Sequence, residues 1–208
     1  MDYRVRLAEK TDLTVVPDIE KAAAQRFRPY VAWLNVPLDV LEGLTTASFL
    51  LSAQADDRLW VAAVGGRPVG FIVAKFLTDS CFVVELDVHP DYGRMGMGSA
   101  LVNACCEGAI ARGFNQVTLT TFRRIPWNIP FYQRLGFEIL PSELWSQEID
   151  SIVHHESRYG FAPEKRAVMR RMLRNGLNKT SKENFQGDFK GNFQGNDNKR
   201  AQEGWTDG

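Results

Sequence analysis

Tyr3, Val5 and Leu7 alternate with charged residues, the period-two pattern of a half-buried strand. Asp12 stands where it can cap a helix, Pro17 suits a first helical turn, and Ile19, Ala23 and Phe27 recur every four residues. A helix is therefore expected next. Residues 30–55 carry apolar side chains at mixed spacing, broken by Pro37 and Gly43, which predicts one or two short helices. Two apolar runs, 59–64 and 69–77, flank Gly65-Gly66-Arg67-Pro68 as a hairpin, and 81–88 is a third strand. The pattern then switches to a helix over 99–112, ended by Gly113, and a strand over 116–122. A short helix over 130–135 is stopped by Gly136; a strand at 137–140, a helix over 144–156 and a strand over 166–173 come after it. A three-strand meander followed by alternating strands and helices predicts a mixed α/β sheet.

From residue 175 the character changes. Phe185, Phe189 and Phe193 sit in three copies of Asn/Asp-Phe-Gln/Lys-Gly, four residues apart. A helix through them would have to carry Gly187, Gly191 and Gly195 at about 1 kcal/mol each, roughly 3 kcal/mol together. Little else there offsets that cost, so 1–174 is expected to be one folded domain and 175–208 a disordered low-complexity tail. The tail is either a dispensable extension or a short partner-binding motif.

Charge and cysteine usage narrow the classes. The 208 residues include 25 basic and 25 acidic ones, so no broad attraction to nucleic acid or membrane is expected. No apolar run approaches a membrane span, and MDYRVRLAEK is no signal peptide; a cytoplasmic location is expected. Cys81, Cys105 and Cys106 are odd in number, with two adjacent, and read as small buried hydrophobes in a reducing compartment. They and His89, His154 and His155 lack zinc-type spacing, so no metal is expected, and His154-His155 reads as a solvated helix end.

The chemistry concentrates in residues 84–98, VELDVHPDYGRMGMG. A strand with acidic residues enters a glycine-rich turn that opens a helix, where unpaired N–H groups and the helix dipole favour an anion. A dinucleotide fingerprint would continue from Gly96 and Gly98 to a third glycine, but that position is Leu101. A phosphate loop of the Walker type would need a lysine after Gly98, where Ser99 and Ala100 stand. What remains is a pyrophosphate cradle or an ordinary strand-to-helix turn.

Gly93-Arg94-Met95-Gly96-Met97-Gly98 resembles the acetyl-CoA pyrophosphate loop of the GNAT superfamily of N-acetyltransferases, Arg/Gln-x-x-Gly-x-Gly/Ala. Residues 121–137, TFRRIPWNIPFYQRLGF, resemble its second signature and keep the Tyr-x-x-Leu-Gly-Phe ending. The TF…PWN…PFY spelling resembles one mostly uncharacterised subgroup. The two segments lie 23 residues apart, room for one helix and one strand, and the resemblance extends over roughly residues 3–173. In one departure, Gly93 stands where the loop pattern has Arg or Gln, leaving Arg94 beside it as the source of charge. The resemblance implies a GNAT-type α/β (mixed α+β) fold, a central mixed sheet of about six to seven strands flanked by helices. It also implies acetyl-CoA as co-substrate, held by Leu86, Val88, Arg94, Met95, Gly96, Met97, Gly98, Ser99 and Asn128, with no metal.

Acetyl transfer to an amine poses two proton problems. An alkyl amine of pKa near 10.4 is neutral in only about one part in 2,500 at pH 7, a handicap of roughly 4.6 kcal/mol that a general base removes. The departing thiolate leaves more easily if an acid protonates it. Strict alternation puts Phe82, Val84, Leu86 and Val88 on one face and Val83, Glu85 and Asp87 on the other, which points away from the main core or toward a cleft. Glu85 is the candidate base, a position the resemblance supports, with Asp87 the alternative; Tyr132 is the candidate acid by resemblance. The cysteines lack a nucleophile's context and no Gly-x-Ser-x-Gly elbow occurs, so direct transfer is expected. The acceptor is expected to be a small-molecule or peptide amine, not nucleic acid or membrane, and the oligomeric state is not legible. Two other classes compete: a non-catalytic acyl-CoA-binding or sensing module, and an acyl-CoA hydrolase. A binding module needs neither Glu85 nor Tyr132.

Overall fold

The computed structural model describes residues 2–43 and 45–173. The expected tail, 175–208, lies outside the described residues. Seven strands form one sheet: β1 (Arg4–Leu7), β2 (Leu59–Val64), β3 (Arg67–Phe76), β4 (Cys81–Val88), β5 (Gln116–Phe122), β6 (Glu138–Ile139) and β7 (Arg166–Met172). Their spatial order is β1-β2-β3-β4-β5-β7-β6. Every neighbouring pair is antiparallel except β4 and β5, which run parallel with the crossover helix between them. The mixed sheet flanked by helices is the architecture expected.

Period-two patterning decides which side chains enter which layer. On β2 and β3, Trp60, Ala62, Ile72 and Ala74 face one way and pack with Leu101, Val102, Cys105 and Ala109. Leu59, Val61, Phe71 and Val73 face the other and pack with Val16, Ile19, Leu50 and Ala53. The helices are α1 (Val16–Ala24), α2 (Val31–Leu34), α3 (Leu38–Leu41), α4 (Ala47–Ala55), α5 (Met97–Ala111), α6 (Asn128–Arg134) and α7 (Gln147–Arg158). Thus α5 covers one face of the sheet and α1 with α4 the other. A Cβ added at Gly108 on α5 would lie 2.4 Å from Trp60 Cζ2, so the helix can sit this close to the sheet only with glycine there.

Several elements differ from the sequence expectation. Residues 30–55 hold three short helices rather than one or two, separated at Asn35, a residue at φ 56°, and around Gly43. Ile19 and Ala23 lie on α1, but the helix stops at Ala24 and Phe27 belongs to a 3-10 segment. Asp12 does not cap α1; its carboxylate accepts from Arg6 and from the Glu9 N–H. The hairpin loop is only Gly65-Gly66, with φ of 56° and 84°, while Arg67 and Pro68 already pair with β2. Positive φ at both central residues is what a two-residue type I′ turn requires. The three cysteines are buried and free, as expected of small hydrophobes, with the Cys81 and Cys105 sulfurs 3.9 Å apart. His154 is exposed on α7, but His155 is half-buried against the Tyr159 ring rather than solvated.

Candidate active site

The site is built where β4 and β5 part. They pair only at Cys81–Val117, Phe82–Thr118 and Val83–Leu119; beyond, β5 continues with β7 and β4 with β3. At the same point β4 is irregular: Ala74 pairs with Val83 but Val73 pairs with Glu85, leaving Val84 as an extra residue. Such a bulge reverses the alternation. Cys81, Val83, Leu86 and Val88 therefore share the α5 side, while Val84 packs toward α1 and α4. This corrects the strict alternation expected from sequence, in which Val83 shared a face with Glu85. The bulge turns Glu85 and Asp87 to the α1 side.

It also settles what Leu86 and Val88 present. The His89 N–H donates to Val69 O at 2.8 Å, toward β3. Alternation along the strand then turns the N–H and C=O of Leu86 and Val88 to the opening between β4 and β5. Their side chains pack against the α5-side core, and the Leu86 N–H donates to Glu85 Oε1 at 3.2 Å, so the Leu86 C=O and the peptide groups of Val88 are what these residues offer to a bound molecule.

The glycine-rich turn leads into α5. The Tyr92 and Gly93 N–H groups donate back to His89 O (2.9 Å) and Pro90 O (3.0 Å). Arg94 adopts φ 62° and Gly96 φ 85°, and the N–H groups of residues 94–99 have no acceptor among the described residues. That array of donors at a 15-residue helix start has the chemistry of an anion cradle. Arg94 and Met95 are exposed, whereas the Met97 side chain is in the core and only its peptide faces the turn. Gly98 also has a packing reason: a Cβ there would stand 3.3 Å from Phe131 Cζ on α6. Gly93 has ordinary extended dihedrals, and a Cβ there would press on Pro90 O at 3.1 Å.

From the other strand, residues after Phe122 turn into α6, which starts at Asn128. Tyr132 packs between Phe131 and Phe137, with centroids 5.0 and 5.6 Å away. Burial raises its phenol above the usual range, helped by the negative charges of Glu85 and Asp87 and opposed by Arg166. Tyr132 packs against the same core cluster as Leu86 and Val88 of β4. Glu85 keeps some solvent contact, yet burial first and the charge of Glu20 second push it up to about 8. Asp87 is held well above the carboxylate range by burial, then by Glu85 and Glu20, against the pull of Arg26.

Sequence reasoning missed two contributors, Glu20 and Arg166. Glu20, on α1, is 1% exposed and receives the Thr45 N–H at 3.0 Å and the Thr45 hydroxyl at 2.6 Å. Its signal was present: Val16, Ile19, Glu20, Ala23 and Ala24 occupy one helical face, and only Glu20 is charged. Arg166 on β7 binds Glu156 through Nε (2.9 Å) and Nη2 (3.1 Å) and donates to Thr120 Oγ1 (2.6 Å), a network formed across three elements. An aromatic group joins Trp127 to Phe27 and Tyr30, at 5.8 and 5.5 Å, with the Arg26 guanidinium 4.7 Å above the indole.

Comparisons with known proteins bear on the family and the fold. A family model described as the acetyltransferase (GNAT) family matches residues 21–137. An uncharacterised N-acetyltransferase of Methanocaldococcus jannaschii is 34% identical over 95 residues, 42% of each chain. An acetyltransferase of Sodalis glossinidius is 32% identical over 88 residues, 42% of this chain and 62% of that one. This chain thus spans less than two thirds of these relatives' own length. Among solved structures, the PaiA N-acetyltransferase of Thermoplasma acidophilum, in complex with coenzyme A, aligns with TM-score 0.61 at 14% identity, covering 83% of this chain and all of that one. The ribosomal-protein-S18-alanine N-acetyltransferase of Escherichia coli aligns with TM-score 0.57 at 18% identity, covering 86% and 100%. At such identities these two establish likeness of fold.

Proposed function

The chain belongs to the GNAT acetyltransferase family, and on that premise we propose that it transfers the acetyl group of acetyl-CoA directly to a primary amine. Acetyl-CoA supplies the activated acetyl thioester. The free N–H groups of residues 94–99 are suited to its pyrophosphate, and the Leu86 C=O, the peptide groups of Val88 and the side chain of Asn128 to its amide-bearing arm. Arg94 adds positive charge at the mouth of the cradle.

In this reading Glu85 takes the proton from the incoming amine, directly or through water, and Tyr132 gives its proton to the departing sulfur. A phenol of raised pKa stays protonated at neutral pH, the form an acid needs; a carboxyl of raised pKa is a stronger base once ionised, but near neutral pH most of it holds its proton, so the base form grows as pH rises. The observation that supports the reading is the opening between β4 and β5, with Glu85 on β4 beside it, Tyr132 packed against the same core cluster as Leu86 and Val88, and the cradle of N–H groups at the start of α5. The acceptor would enter between α1 and the aromatic group of Phe27, Tyr30 and Trp127.

The test is purified protein with acetyl-CoA and a panel of amine classes, following free thiol and the mass of the products. Thiol release that depends on amine, with an acetylated product, supports transfer. Release without amine makes the protein a hydrolase, and binding of acetyl-CoA without release makes it a binding module.

A further inference from the structure

Glu20 has no part in the acetyl-transfer scheme above, yet it is the most deeply buried carboxylate beside that site. It shares the inner stripe of α1 with Val16, Ile19, Ala23 and Ala24. Val16 and Ile19 pack on Phe71, Val73 and Val84, whereas Ala24 packs with Phe122 and Ile125. Glu20 lies one turn from both Val16 and Ala24, so it faces the sheet between those two groups, where β4 and β5 separate. Taking a carboxylate out of water is costly unless donors receive it. Thr45 provides two, its N–H on one oxygen and its hydroxyl on the other.

We propose that Glu20 is a positioning residue for the transfer reaction: a fixed negative charge, pinned by Thr45 beneath the β4 carboxylates, that sets the proton affinity of Glu85. The groups around Glu85 fit this role. Asp87 is its neighbour on β4, the phenol of Tyr132 on α6 is raised by burial and then by the Glu85 charge, and Arg166 from β7 is paired with Glu156 of α7. Arg26, beyond the end of α1, acts on Asp87. Glu20 is the charge that burial and Thr45 hold in one place. The kinetic half of the inference rests on Glu85 being the base; the proton-affinity half does not.

A merely structural Glu20 would tie the segment before α4 to α1 and do nothing else. Glu20→Gln separates the two roles, because the amide oxygen still accepts the Thr45 N–H and the amide N–H can donate to the Thr45 hydroxyl. Carboxyl 13C titration of the full chain, with the Glu85 signal assigned by Glu85→Gln, should show the Glu85 midpoint falling by about one pH unit in Glu20→Gln. Glu20→Asp, which keeps the charge, should restore most of the shift. The acid limb of kcat/KM should move with the midpoint. An unmoved Glu85 midpoint in folded Glu20→Gln overturns the proposal, as does a moved midpoint with an unmoved limb. If Glu20→Gln does not fold, Thr45→Val should shift the midpoint the same way by less, and no shift again overturns it. Absence of amine-dependent transfer in the wild type would instead defeat the enzyme reading, while the titration would still report on Glu20.

Discussion

Glu85 couples rate and stability to pH in ways that can be measured separately. With its carboxyl pushed up to about 8, only about a tenth is ionised at pH 7 in the free protein. If it is the base, kcat/KM should climb as pH rises through about 8, and Glu85→Gln should remove that limb and cut the rate on the order of 10²- to 10⁴-fold near neutrality. The deficit should shrink at still higher pH, because the amine then deprotonates without help. An unaltered profile would pass the role to Asp87. For stability, the folded value near 8 lies above the ordinary 4.5, so the native state binds the proton more tightly than the unfolded chain. The resulting stabilisation is fully present below about 4.5 and is lost as pH rises through 8. Relative to wild type, Glu85→Gln should therefore melt at a higher temperature at pH 9 than at pH 5, by calorimetry at the two pH values. Tyr132→Phe should lower turnover with little change in acetyl-CoA affinity, since the ring between Phe131 and Phe137 is kept. Raising pH should not rescue it, whereas an acyl thiol with a better leaving group should.

At the level of elements, local pattern was readable where each side chain had one periodic role. The β2–β3 hairpin, the strand into Gly96 and Gly98, and the helix after it were legible from alternation, turn glycines and a run of small apolar residues. Val84 was not readable: a bulge inserts one residue without changing composition, and it appears only when β3 supplies Val73 and Ala74 as partners. Residues 31–41 were also obscure, because their two short helices are held by packing of Leu34, Val36 and Leu41 with Phe122 and Phe161, far along the chain. Gly108 gives a test of such tertiary control. In an isolated helix Gly108→Ala should stabilise by about 1 kcal/mol. Here the added Cβ would stand 2.4 Å from Trp60 Cζ2, deep in the core, where overpacking costs about 1–3 kcal/mol. The variant is expected to lower the melting temperature; a rise would mean that α5 and Trp60 can shift apart freely.

Over the whole molecule, the site joins residues that are distant in sequence: Glu20 and Arg26, Glu85 and Asp87, Tyr132, and Arg166. Single motifs disclosed the middle of this set, since the candidate base Glu85, the glycine-rich turn and the candidate acid Tyr132 lie on one stretch running from β4 through α5 and β5 into α6. Glu20 and Arg166 were hidden because their relevance depends on α1 crossing one face of the sheet and β7 lying beside β5. The same arrangement bears on where the folded unit ends. Among the described residues the last core position is Leu173, whose N–H closes on Asn115 O at 2.7 Å. We therefore propose that residues 175–208 contribute nothing to the acetyltransferase core. A chain ending at Arg174 should keep its melting temperature and its turnover nearly unchanged, because residues 175–208 are polar and glycine-rich and offer little apolar surface to a core. A fall of several degrees would show that Phe185, Phe189 and Phe193 bury themselves on the domain. A loss of turnover at constant melting temperature would instead give that segment a part in binding the acceptor.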